Sequence, residues 1–110
     1  MNWNHLNSME DLDKALAESH EDLVVLFKHS TRCSISRMAL KMFEMGWDES
    51  LSEVKPYFLD LLNHRDISTE IASRLDVEHQ SPQLVVVREG SVLGVANHSA
   101  INADLVKEHA

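Results

Sequence analysis

The stretch Leu23-Val24-Val25-Leu26-Phe27-Lys28-His29-Ser30-Thr31-Arg32-Cys33-Ser34-Ile35-Ser36 decides how the rest of the chain is read. Its first five residues form a continuous β-branched and aliphatic run, the pattern of a strand buried on both faces. A polar turn follows. From Ile35 onward the apolar residues Met38, Ala39, Met42 and Phe43 recur on one helical face. Cys33, the only cysteine, therefore stands where a strand gives way to a helix. The unpaired N–H groups of a helix N-terminus favour negative charge, so this placement favours the thiolate, the nucleophilic form of sulfur.

Upstream, Ser8-Met9-Glu10-Asp11 has a capping residue and an acidic first turn, and Leu12, Ala15 and Leu16 continue at helical spacing. The polar Ser19-His20-Glu21-Asp22 ends that helix. Downstream, Gly46 is a C-terminal stop for the cysteine helix. Trp47 to Lys55 fits either a loop or a short helical turn. Tyr57-Phe58-Leu59-Asp60-Leu61 reads as a second strand opening just after Pro56, and Asp66 as the cap of a helix with the stripe Ile67, Ile71 and Leu75. Leu84-Val85-Val86-Val87 is a strand, Arg88-Glu89-Gly90-Ser91 a hairpin turn with positive φ at Gly90, and Val92 to Ala96 the return. Ser99 or Asn102 caps a final short helix containing Leu105 and Val106. Strands separated by helices imply right-handed parallel crossovers, and the terminal hairpin adds antiparallel pairing. The order predicts an α/β fold: a mixed four-stranded sheet with a C-terminal β-hairpin and helices on both faces. This is the thioredoxin-like plan, in one domain over residues 1–110.

A chain of 110 residues, 44% hydrophobic and 25% charged, buries a core without disulfides or metals. No apolar run approaches the ~18 residues of a membrane span. The polar N-terminus, Met1-Asn2-Trp3-Asn4-His5, lacks the basic-then-apolar order of a secretory signal. One cysteine cannot close an internal disulfide, so the expected location is cytoplasmic. A net charge of −8 without a run of Lys and Arg argues against nucleic acid or an anionic membrane as partner.

Cys33-Ser34-Ile35-Ser36 is C-x-x-S where a dithiol redox motif has C-x-x-C. A lone helix-terminal cysteine can attack a disulfide but has no internal partner to release it, so an outside thiol must resolve the mixed disulfide. Ser36, one helical turn on, is placed to donate to the thiolate. Burial as a small hydrophobe is the common alternative for a free cysteine, but the polar neighbours of Cys33 argue against it. Pro82 heads a strand after Ser81, the place where the thioredoxin plan carries a cis proline against the active cysteine, exposing the preceding backbone to a substrate. A nearby cation favours the thiolate further, and Arg32 is the first candidate, with Lys28 and His29 behind it. The seven histidines show no paired ligand spacing, so no metal is expected.

On Lys28-His29-Ser30-Thr31-Arg32-Cys33-Ser34-Ile35-Ser36, followed by Met38-Ala39-Leu40, the chain resembles the monothiol bacilliredoxin family of the bacillithiol system. The resemblance runs from the first helix to the hairpin and includes Tyr57 to Asp60, Ser81-Pro82-Gln83 and Arg88-Glu89-Gly90. It implies a cytoplasmic thioredoxin-fold oxidoreductase, active in oxidative stress, whose partners are S-thiolated client proteins. Cys33 would take the bacillithiol, or another low-molecular-weight thiol, from the client onto its own sulfur. A small thiol or another redoxin would then regenerate it. Arg32, Ser34, Ser36, Ser81 and Pro82 would surround that cosubstrate. The family motif usually has proline after the cysteine. Ser34 stands there in this chain, restoring a backbone N–H and adding a hydroxyl. Two other readings are an iron–sulfur carrier like the monothiol glutaredoxins, which Ser34 and Gly94-Val95-Ala96-Asn97 fit poorly, and a non-catalytic thioredoxin-fold adaptor binding a protein partner.

Overall fold

The structure, a computed structural model, describes residues 1–110. Its elements are β1 (Asn4–His5), α1 (Met9–Glu18), β2 (Val24–His29), α2 (Ser34–Gly46), β3 (Lys55–Asp60), α3 (Arg65–Leu75), β4 (Gln83–Arg88), β5 (Ser91–Asn97) and α4 (Ala103–His109). Short 3-10 turns at Glu49–Leu51 and His98–Ala100 join them. The sheet order is β1-β3-β2-β4-β5, with β1, β3 and β2 parallel and β4 and β5 antiparallel to their neighbours.

The class matches the sequence expectation, but the sheet has five strands rather than four. β1 is only two polar residues, Asn4 and His5, pairing with Tyr57 and Phe58. Nothing in its pattern marks a strand. It is held by Leu6 N–H donating to Phe58 O at 2.9 Å and by Trp3, whose ring stacks on Phe43 at 5.9 Å. Pro56 lies inside β3 instead of ahead of it. Lys55 N–H donates toward β2, to Leu23 O, while Phe58 O accepts from the β1 side. Even-numbered β3 residues thus face β1, which begins one residue beyond Pro56. The proline ring therefore removes no ladder bond.

β2 is buried along its whole length. Val25 and Phe27 face a core with Phe43 of α2 and Val106 of α4, whereas Val24 and Leu26 face Leu12 of α1 and Ile67 and Ile71 of α3. The apolar arc of α2 does not all face inward. Ser36, Ala39 and Phe43 meet the sheet, whereas Ile35, Met38 and Met42, expected on the core face, are exposed. The arc is wider than the strip a helix can bury on a sheet already covered beside it by α4. Gly46 is the last residue of α2, and its bare Cα lets the helix approach Ala103: an added Cβ would meet that methyl at 3.0 Å. The α3 N-cap is His64 without a side-chain bond, and Asp66 lies in the first turn. Ser8 and Asn102 do cap α1 and α4, accepting from Asp11 N–H and Asp104 N–H. No helix is long and apolar enough to cross a membrane.

The β4–β5 turn puts both Glu89 (φ 52°) and Gly90 (φ 72°) in the left-handed region, the type I′ hairpin geometry. Ser19 at the end of α1 holds this turn, accepting Glu89 N–H at its carbonyl and Gly90 N–H at its hydroxyl. Asparagine tolerates left-handed backbone better than glutamate. Glu89→Asn is expected to stabilise the fold by about 0.5–1 kcal/mol, a rise of roughly 2–6 °C in Tm. An unchanged or lower Tm in a calorimetric scan would show that the turn carries no such strain.

Candidate active site around Cys33

Because β2 is bonded on both sides, three chain segments meet at one end of the sheet. His29 is level with Asp60 at the end of β3, and Lys28 is level with Gln83 at the start of β4. The turn after β2 delivers Cys33 to this end. Cys33 N–H donates to Ser30 O at 3.1 Å, and Cys33 O accepts the first helical bond from Arg37 N–H at 3.0 Å. Cys33 is the N-cap of α2, with extended backbone, no side-chain capping bond and a half-buried side chain. The N–H groups that open α2 have no intrahelical partner, and Ser34, exposed, is the first of these residues.

The other three α-helices carry acids in their first turns: Glu10 and Asp11, Asp66, and Asp104. α2 carries none. In a chain of net charge −8 this leaves the positive end of the α2 dipole uncompensated where the sulfur stands. Arg32 is exposed beside it and belongs to none of the three ion pairs, which use Arg74 and Lys107.

Ser36 faces inward. It is fully buried, its Oγ accepts Ser30 N–H at 3.0 Å, and it lies 2.8 Å from His29 Nδ1. The hydroxyl can donate to Nδ1 or accept from it while still accepting from Ser30, so the contact holds in either tautomer of His29. Burial lowers the His29 pKa, partly opposed by Asp60. Ser36 and His29 thus fasten the turn that carries Cys33 to the end of β2.

The Ser81–Pro82 peptide bond is cis, with Pro82 buried and Ser81 half-buried. Three buried side-chain oxygens lack a hydrogen-bond partner: Asp60 Oδ1, Ser81 Oγ and Gln83 Oε1. All three lie at this same end of the sheet. Each such atom costs about 1–3 kcal/mol, and native folds keep few of them. Their grouping marks a place where polar groups are held for something other than stability.

A model of the monothiol bacilliredoxin family matches residues 4–106. The chain belongs to that family. Among solved structures it is similar to a thioredoxin-fold protein assigned as an oxidoreductase, at 27% identity and a TM-score of 0.80, covering 94% of this chain and 89% of that one. It also resembles the thioredoxins of Malassezia sympodialis (14% identity, TM-score 0.75, 98% and 87% covered) and Fasciola hepatica (20%, 0.69, 96% and 94%), likenesses of fold. Family and single thiol together support monothiol redox chemistry at Cys33.

The chain also buries a lysine at the end of β2, behind the turn that carries Cys33. Lys28 is 0% exposed on the α3 face of the sheet. Its Nζ donates to Ser68 O and to His79 Nδ1, both at 3.2 Å. Ser68 Oγ also lies 3.2 Å from that nitrogen. No carboxylate pairs with the ammonium, and burial pushes the Lys28 pKa down from 10.5 to about 8. A signal existed in the sequence, since a strand continuing to His29 puts residue 28 on the same face as Val24 and Leu26. The apolar run itself stops at Phe27, whereas β2 continues through His29.

Two outcomes follow from these networks. Ser36→Ala leaves Ser30 N–H and His29 Nδ1 without their partner, and is expected to lower stability by about 1–3 kcal/mol in urea denaturation. A loss under ~0.5 kcal/mol would mean that the turn is held otherwise. Lys28 has a folded pKa below its unfolded value, so its ammonium destabilises the fold below pH 8, and this cost fades as pH rises from about 8 to 10.5. Lys28→Met is therefore expected to raise Tm at pH 7, with an advantage that shrinks toward pH 10. A constant difference across that range would contradict the buried, unpaired ammonium.

Proposed function

We propose that this chain is a monothiol thiol–disulfide oxidoreductase that removes a low-molecular-weight thiol, bacillithiol, from S-thiolated client proteins in the cytoplasm. The observation that supports it most is the half-buried Cys33 at the acid-free N-terminus of α2, with no second thiol in the chain. In the forward step the Cys33 thiolate attacks the bacillithiol sulfur of the mixed disulfide. A Cys33–bacillithiol S–S bond forms, the client S–S bond breaks, and the electron pair leaves on the client thiolate. In the second step a free bacillithiol thiolate attacks the adduct, releasing bacillithiol disulfide and regenerating the Cys33 thiolate. The incoming thiols are the reductant.

In this reading Arg32 and the opening N–H groups of α2, beginning with Ser34, stabilise thiolate and polar cosubstrate. Ser81 and Pro82 border the cosubstrate from the start of β4. Ser36 acts by holding the turn, since its hydroxyl is engaged with Ser30 and His29. A partly exposed cysteine at an acid-free helix start favours this chemistry over a purely adaptor role.

Intact-mass spectrometry after incubation with bacillithiol disulfide or glutathione disulfide tests the proposal. The native chain is expected to gain one bacillithiol, and added bacillithiol to remove it. Cys33→Ser is expected to gain nothing and to release no client thiol. A native chain that takes no adduct from either disulfide would reject the redox reading, and one that takes only glutathione would change the cosubstrate.

A further inference from the structure

The residues of α2 that the core does not use form a second surface, continuous with Cys33. Ile35, Met38, Met42 and Met45 are 56%, 64%, 57% and 72% exposed. They are spaced i, i+3, i+7 and i+10, so they line one face of the helix. Across from them the turn after β5, with His98 and Asn102, forms the other wall of a groove of about 720 Å³. The groove begins at Ser34, the residue after the nucleophile.

Three features say what fits it. Its floor is apolar and methionine-rich, a surface that adapts to varied side chains, and it offers little to a small, highly polar thiol. Its length follows α2, whose 13 residues span about 20 Å, enough for roughly six residues of extended chain. No charged carboxylate lines it. The exposed bases of α2 stand outside its rim and outside every ion pair: Lys41, between Met38 and Met45 at i+3 and i−4, and Arg37, which donates to Thr31 O at 3.4 Å, with Arg32 just ahead of the helix. The only acid on α2, Glu44, accepts from Trp3 Nε1 at 2.9 Å.

We propose that this groove docks the client polypeptide, taking a segment that carries an apolar side chain and a carboxylate within a few residues of the thiolated cysteine. The inference rests on the thiol-removal reading above and names the clients which that site prefers. Apolar contacts along Met38 and Met42 position the segment, and Arg37 and Lys41 select acidic flanks in a chain that otherwise repels them.

Two peptides bearing the same bacillithiol mixed disulfide test this, one with leucine and glutamate near the cysteine, the other with serine and lysine. Hydroxyethyl disulfide, too small to reach the groove, reports on Cys33 alone. The native chain is expected to favour the leucine–glutamate peptide by about tenfold in kcat/KM, a factor within reach of burying one leucine-sized side chain. Added salt should weaken the preference. Met38→Ser with Met42→Ser should abolish the apolar part of it at an unchanged hydroxyethyl disulfide rate. Equal kcat/KM for both peptides with an active Cys33 would overturn the docking proposal and leave the redox reading intact. Failure with hydroxyethyl disulfide as well would reject both. A native dimer in sedimentation that the methionine variant dissolves would assign the groove to a second copy of the chain and overturn the client assignment.

Discussion

The double-sided burial of β2 is the constraint from which the site follows. A strand covered on both faces must stand inside the sheet, and β2 there takes β3 on one side and β4 on the other. Its C-terminal end consequently lies beside the end of β3 and the start of β4. Chain leaving that end has no strand ahead of it and turns over the sheet as α2. The cysteine, the acid-free helix start and the Ser81–Pro82 segment all lie at this end of the sheet, with no hydrogen bond linking them. Their common reference is the ladder register that sets His29 against Asp60 and Lys28 against Gln83.

The same end of the sheet is where the fold concedes stability. A buried ammonium with only a carbonyl and an imidazole for partners, and three orphaned oxygens at the same end of the sheet, are each unfavourable by ordinary folding criteria. At the opposite end Ser19 satisfies both N–H groups of the hairpin turn. The contrast is one of position and not of overall packing quality. Functional sites are where natural sequences depart from local optimality.

Where the sequence could be read, one physical period dominated. The apolar runs at Leu23–Phe27 and Leu84–Val87, the caps Ser8 and Asn102 and the positive φ at Gly90 each depend on a few adjacent residues, and each reappears in the structure. Three features depended on how the folded chain brings groups together and were not legible. β1 exists because Phe58 offers a carbonyl to Leu6, 52 residues earlier. The inward turn of Ser36 depends on His29 and Ser30, which meet it only after the chain reverses. The split of the α2 apolar arc depends on how much sheet α4 leaves uncovered. Periodicity located that arc, but which part of it faces solvent is a property of the neighbours.

That split bears on the chemistry through the C-x-x-S motif. In a dithiol site the fourth position carries a second sulfur that can reach the first. Ser36 is instead fully buried and bonded to the strand end, so the motif's last position contributes rigidity rather than a leaving path. With no second thiol in the chain, the proposed monothiol reaction takes its resolving sulfur from solution, and it requires Cys33 to stay open to two incoming sulfurs in turn. A rigid turn under a half-buried nucleophile meets that requirement on one side. On the other, the exposed face of α2 gives a large partner somewhere to rest that a small thiol does not need. The inward, bonded Ser36 and the unburied apolar face are in this sense two consequences of the same orientation of α2.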